Sequence, residues 1–124
     1  MSERVAIVAG VGGELGRATA EKLAAAGFTV AGVDRSEQGL KELPDGKAAL
    51  VHLTRVLDLE LRPLGIRVNA VAPQLLDTAK NRPYLTPDLL AHAVAPEAVA
   101  DIIVYLVSDA AAPVSGAIVP AYGP

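Results

Sequence analysis

An α/β fold, a small parallel sheet covered by helices, is what this sequence predicts, and three observations carry the prediction. Short apolar runs that end in glycine or acid alternate with longer segments rich in Ala, Leu, Glu and Lys, the rhythm of strand–helix–strand units. Hydrophobic residues make up 52% of the chain and aromatics only 3%, so the core must come from Ala, Val, Leu and Ile, as in strands buried on both faces. The 124 residues suffice for one domain of ordinary size.

The elements follow in order. Residues 5–9 (VAIVA) form a short apolar run bounded by glycine, a buried strand. Residues 10–16 are a glycine-rich turn. Residues 17–26 are rich in helix formers and stop at Gly27, a helix-terminating position. Residues 28–33 (FTVAGV) make a second strand, closed by Asp34. Residues 36–46 are polar and end in a Pro-Asp-Gly turn. The spacing of Leu50, Leu53, Leu57 and Leu61 predicts a helix over residues 47–62, halted by Pro63 and Gly65. Its Leu stripe is expected to face core or interface, with Asp58, Glu60 and Arg62 on a solvated face. Residues 66–72 (IRVNAVA) predict a third strand. Thr86 before Pro87 caps a short helix, and Pro96 and Glu97 open another running to about Ser108. Residues 116–119 (GAIV) close the chain with a fourth strand.

Composition excludes several functions. With a net charge of -3 there is no basic surface for nucleic acid. Absence of cysteine removes disulfides, thiol nucleophiles and thiolate metal sites. His52 and His92 stand 40 positions apart, without metal-ligand spacing, and read as packing or surface residues. The first apolar stretch is too short for a membrane span and carries no cleavage signature, so a cytoplasmic location is expected.

The first turn carries chemistry. Gly10, Gly12, Gly13 and Gly16 lie between the first strand and the first helix. Glycine there permits unusual dihedrals, lets the backbone approach a pyrophosphate and allows helix to pack close to strand, while the N–H groups at the helix start face the phosphates. Asp34 follows Gly16 by 18 positions, where an acid accepts hydrogen bonds from both adenosine ribose hydroxyls. That acid repels a 2′-phosphate, favouring NAD over NADP, with the neighbouring Arg35 as a counterweight. Together these features predict a Rossmann-like doubly wound parallel sheet of about four strands.

At this point the residues resemble the short-chain dehydrogenase/reductase family. AGVGGELGRA at residues 9–18 lies over the family's T-G-x-x-x-G-x-G turn. Gly10 and Gly16 match, Ala9 replaces Thr, and Glu14 replaces the middle glycine, placing a carboxylate near the phosphates. Weaker cofactor binding is expected, or a loop that turns Glu14 outward. KAAL at residues 47–50 and LRPLGIRVNAVAP at residues 61–73 are similar to the family's long helix and the strand after it. Lys47 falls on the lysine of the family's Y-x-x-x-K, whose implied role is to hold the nicotinamide ribose and lower the pKa of the tyrosine. PQLLDT at residues 73–78 resembles the P-G-x-I-x-T segment bordering the nicotinamide, with Pro73 and Thr78 matching, Leu76 conservative and Gln74 departing. The resemblance implies Gly10, Gly12, Gly13, Leu15, Gly16, Asp34, Arg35, Lys47, Pro73, Leu76 and Thr78 as cofactor-binding residues. It further implies an alcohol or carbonyl substrate and a homo-oligomer.

The resemblance comes in two blocks, residues 1–46 and 47–124, which together are expected to form one domain. The position four before Lys47, where the tyrosine belongs, is Leu43. Tyr84, Tyr105 and Tyr122 have no lysine four residues later, and the family's N-N-A-G segment and catalytic serine have no counterpart. Hydride transfer to a carbonyl needs a positioned proton donor, so the chain is expected to lack activity as it stands. The alternative is a non-catalytic nucleotide-binding or self-associating fragment. Against the family's strand order 3-2-1-4-5-6-7 the chain supplies only 2, 1, 6 and 7, so its inner strands must either close up or leave a gap.

Overall fold

The computed structural model describes residues 4–9, 14–33 and 46–123, without the side chains of 7–9, 30–33 and 46–50. β1 (Val5–Ala9) leads to α1 (Glu14–Ala25), which returns to β2 (Thr29–Val33). β1 and β2 pair in parallel, from Val5 opposite Thr29 to Ala9 opposite Val33. α1 begins three residues earlier than the helix-former run implies, and its acidic Glu14 suits a first turn. It ends as expected at Gly27, where φ is +90° and the Phe28 N–H bonds the Leu23 carbonyl at 3.0 Å.

The second block opens with α2 (Gly46–Leu61) and a 3-10 turn, Arg62–Leu64. β3 (Ala70–Pro73), α3 (Pro87–His92), α4 (Pro96–Val107) and β4 (Ile118–Ala121) follow. Thr86 caps α3 as its sequence predicts, accepting a bond from the Leu89 N–H at 3.3 Å. β3 pairs in parallel with β4, from Ala70 opposite Ile118 to Pro73 opposite Ala121.

Both strands of this pair sit later in the sequence than predicted. Residues 66–69 cannot join the ladder because the chain facing them is still turning: Gly116 has φ +75°. One backbone bond remains there, from the Gly116 N–H to the Val68 carbonyl at 2.8 Å, and side chains supply the rest. Asn69 bonds the Val114 carbonyl at 3.1 Å and accepts the Ala117 N–H at 3.0 Å. The Val68 N–H donates to the Ser115 hydroxyl at 3.2 Å.

Among the described residues β1–β2 and β3–β4 form two separate two-stranded sheets, with no ladder between β1 and β3. The inner strands therefore do not close up. Helices join the two blocks instead, α1 packing along α4. α1 buries Gly16, Thr19 and Leu23, one stripe at helical spacing, and α4 buries Val99, Ala100 and Leu106. Leu23 meets Ala6, with Phe28, Val104 and Val107 packed around them. Lys22 pairs with Asp101 at 2.6 Å and Arg4 with Asp109 at 3.1 Å across the same seam. Both pairs are exposed, so the apolar contact does more of the joining than the charges do.

α2 corrects the sequence-based view of its faces. Leu53 is about half exposed, whereas Thr54 and Asp58 are buried. Asp58 is not on a solvated face. Arg62 and the Ser115 hydroxyl both donate to its carboxylate, tying α2 to the turn before β4. A charged residue at helical spacing gives no sign of a partner 57 positions later.

The Arg62 hydrogen bond, then that from Ser115, holds the Asp58 carboxyl below the usual carboxylate range. A depressed native pKa stabilises above the unfolded value of about 3.9 and is lost as pH falls through the native one. Thermal unfolding scanned against pH is therefore expected to show a plateau above that value and a decline below it. Asp58→Asn is expected to lower the plateau and flatten the acid limb.

Candidate functional site

The site predicted from sequence lies where α1 starts and where β3 ends. Gly10, Gly12, Gly13, Asp34 and Arg35 lie outside the described residues, as does Leu43. Lys47 is in the first turn of α2, its side chain outside the described ones. Leu15 and Gly16 form the first turn of α1, Gly16 buried, and the Leu15 carbonyl accepts the Thr19 hydroxyl at 2.8 Å. Pro73 is the last residue of β3.

Beyond Pro73 the chain is held by Leu76, which makes an isolated parallel bridge to Val94. The Asp77 N–H bonds the Val94 carbonyl at 2.9 Å and the Val94 N–H bonds the Leu75 carbonyl at 2.9 Å. Thr78 is half-buried, and its hydroxyl accepts the Asn81 N–H at 3.1 Å. An accepting hydroxyl keeps a proton to donate, so this bond orients Thr78 without exhausting it. The Asn81 side chain bonds the Leu76 carbonyl at 3.0 Å, closing a compact turn.

Two features escaped the sequence. Glu14 Oε1 accepts the Ala79 N–H at 2.8 Å, across 65 positions. Arg82 grips Asp77 in a two-point pair, Nε–Oδ1 2.6 Å and Nη2–Oδ2 3.0 Å, a geometry in which the guanidinium matches a carboxylate. That hydrogen bond holds the Asp77 carboxyl below its usual range. The replacement of glycine by Glu14 was visible in the sequence; its partner was not, because residue 79 offers only a backbone N–H.

These groups enclose an open cleft of about 350 Å³, lined by Glu14, Asp77, Ala79, Arg82, Ala95, Pro96 and Glu97. The N-termini of α1 and α4 both open on it, giving it backbone donors and the positive ends of two helix dipoles. Against these stand three carboxylates in the lining, Glu14, Asp77 and Glu97, with the Arg82 guanidinium beside them. The lining includes Glu14 and Ala79, the chain neighbours of Leu15 and Thr78, but not Leu15, Gly16, Pro73, Leu76 or Thr78 themselves. Among the described residues no three His, Asp or Glu side chains are grouped to hold a metal ion. No described helix is long and apolar enough to cross a membrane.

A family model described as enoyl-(acyl carrier protein) reductase matches residues 44–123. The chain is similar to Protein FixR of Bradyrhizobium diazoefficiens, 45% identical over 86 residues, which is 62% of this chain and 30% of that protein. It is similar to galactitol 2-dehydrogenase of Rhizobium johnstonii, 42% identical over 83 residues, 59% of this chain and 32% of that protein. The chain therefore matches about a third of the length of these curated relatives. Among solved structures it resembles a hydroxysteroid dehydrogenase from Escherichia coli, with a TM-score of 0.75 at 19% identity, covering 98% of this chain and 96% of that one. It also resembles the TT0495 protein from Thermus thermophilus, with a TM-score of 0.75 at 20% identity, covering 99% and 98%. At these identities the structural likeness speaks to the fold.

Proposed function

The chain belongs to the short-chain dehydrogenase/reductase family, and from that premise we propose that it binds a nicotinamide dinucleotide, NAD in preference to NADP, without transferring hydride on its own. The observation that carries this reading is the cleft itself. The start of α1 and the segment carrying Thr78 meet across one hydrogen bond, with two helix N-termini opening on the space. Gly10, Gly12, Gly13 and Gly16 would take the pyrophosphate, Asp34 and Arg35 the adenosine ribose, and Lys47 the nicotinamide ribose. Leu15, Pro73, Leu76 and Thr78 would line the nicotinamide end.

The bound cofactor would supply a hydride. The proton that must accompany it has no donor in this reading. Leu43 stands where the family's tyrosine would be, and a lysine that holds a ribose does not replace a phenol placed over a carbonyl. A small alcohol or carbonyl substrate belongs to the proposal only for a protein that also carries the missing tyrosine and serine.

A ligand that binds only the native state raises its stability. Millimolar NAD is therefore expected to raise the unfolding temperature, NADP to raise it less, and NADH to stay unoxidised in the presence of carbonyl compounds. No shift with either nucleotide would overturn the reading.

A second reading, self-association, is favoured by one observation. Leu53, Leu59, Leu64 and Ile66, on α2 and just after it, are all about half exposed or more. Such apolar exposure on one helix and its exit suits a second copy of the chain.

A further inference from the structure

The geometry points to Glu14 as an internal occupant of the dinucleotide cleft, a latch that must open before a phosphate can enter. This inference rests on the nucleotide-binding reading above and concerns what limits it. α1 is a 12-residue helix whose first residue is Glu14. The first N–H groups of a helix lack partners within it, and an anion placed there is stabilised by them and by the helix dipole. In this chain the first residue of α1 itself carries a carboxylate, and that carboxylate is turned to the Ala79 N–H.

The Glu14 carboxylate reaches across the cleft and accepts the Ala79 N–H at 2.8 Å. A donor and acceptor already at bonding distance leave no room for a phosphate between them. The bond also fixes the segment next to Thr78 against α1 when no ligand is present. A ligand entering there must break a charge-assisted hydrogen bond and approach a carboxylate with its own negative charge.

The remaining charges do not relieve this. Asp77 and Glu97 line the same cleft, and the cation that lines it, Arg82, is already bonded at two points to Asp77. Affinity for the dinucleotide is therefore set chiefly by how readily Glu14 leaves.

The test is a calorimetric titration of the whole chain with NAD, run beside Glu14→Gln and Glu14→Gly. The Ala79 amide is followed by NMR in all three proteins before NAD is added. Glutamine can still accept a hydrogen bond but carries no charge; glycine removes the side chain entirely. Glu14→Gly is expected to bind NAD about tenfold tighter than the unaltered chain, equivalent to about 1.4 kcal/mol, with Glu14→Gln between them. The Ala79 amide is expected to shift in both variants without ligand.

Equal affinity in all three proteins would overturn the latch and leave the nucleotide reading standing. Weaker binding by the variants would make Glu14 a supporting residue and overturn the latch as well. Absence of binding in all three would overturn both. An Ala79 amide unchanged in the variants would deny the contact itself, whatever their affinity.

Discussion

Replacing Arg67 by Ala is expected to remove about 2–3 kcal/mol of folding stability, a large effect for a polar side chain. The reason lies in what one side chain connects. Arg67 precedes β3, and its Nη1 donates to the carbonyls of Leu106, Ala111 and Val114 at 2.6, 3.0 and 3.0 Å. Its Nη2 donates to the Ser108 carbonyl at 3.2 Å. Two of these carbonyls, Leu106 and Ser108, stand at the end of α4, where the last carbonyls of a helix lack partners within it and a cation meets the negative end of the dipole. The other two belong to the chain leading to β4.

One guanidinium thus ties the end of α4 and the approach to β4 to the strand between them. Alanine would take from the Leu106 carbonyl its Arg67 donor and from the Ser108, Ala111 and Val114 carbonyls a second donor, leaving these three the Ala111 N–H, the Val114 N–H and the Asn69 side chain. Arg67→Lys keeps the charge but loses the planar fork, and is expected to recover only part of the loss. Denaturant unfolding of the three proteins measures it. A loss for Arg67→Ala within about 0.5 kcal/mol, the range of an ordinary surface substitution, would contradict this account.

The second large effect is expected at Gly116. Here φ is +75°, and an added Cβ would fall 2.6 Å from Asp58 Oδ2 and 3.0 Å from its Cγ. The left-handed backbone alone disfavours a side chain by about 1–2 kcal/mol. The close approach adds about as much again, because overfilling a packed site typically destabilises by about 1–3 kcal/mol. The Asp58 carboxylate cannot swing aside without releasing Arg62 and Ser115.

Gly27 serves as the control. Its φ is +90°, yet nothing lies within 4 Å of the added Cβ, so Gly27→Ala carries the backbone term alone. Gly116→Ala is expected to be the more destabilising of the two by at least about 1 kcal/mol. Equal losses would mean that Asp58 yields freely and that the tie between α2 and β4 is weak.

The sequence made the order and type of the elements legible because their signals are local. VAIVA between polar residues and glycine, the Leu spacing of α2, and Thr86 before Pro87 each report on neighbours within a few positions. What stayed hidden depends on distant partners. Asp58 looked solvated because Ser115 lies 57 positions away. β3 came out shorter than IRVNAVA suggests because β4 begins only at Ile118. Arg67 was read as part of a family pattern without a structural role, since backbone carbonyls leave no mark on composition.

The candidate site divides in the same way. The segment with Pro73, Leu76 and Thr78 and the glycine turn with Asp34 were singled out as residue types at characteristic spacing, and of the latter only Gly16 lies within the described residues. The Glu14–Ala79 contact that brings two of these regions together was not, and neither was the Asp77–Arg82 pair beside it.

The most direct measurement of the central claim is a titration of the chain with NAD followed amide by amide in solution. Saturable shifts are expected at Leu15, Gly16, Thr78 and Ala79, with the turn before β4 around Ser115 and Gly116 unmoved. Shifts confined to α2 and that turn, or no shift at millimolar NAD, would contradict the claim.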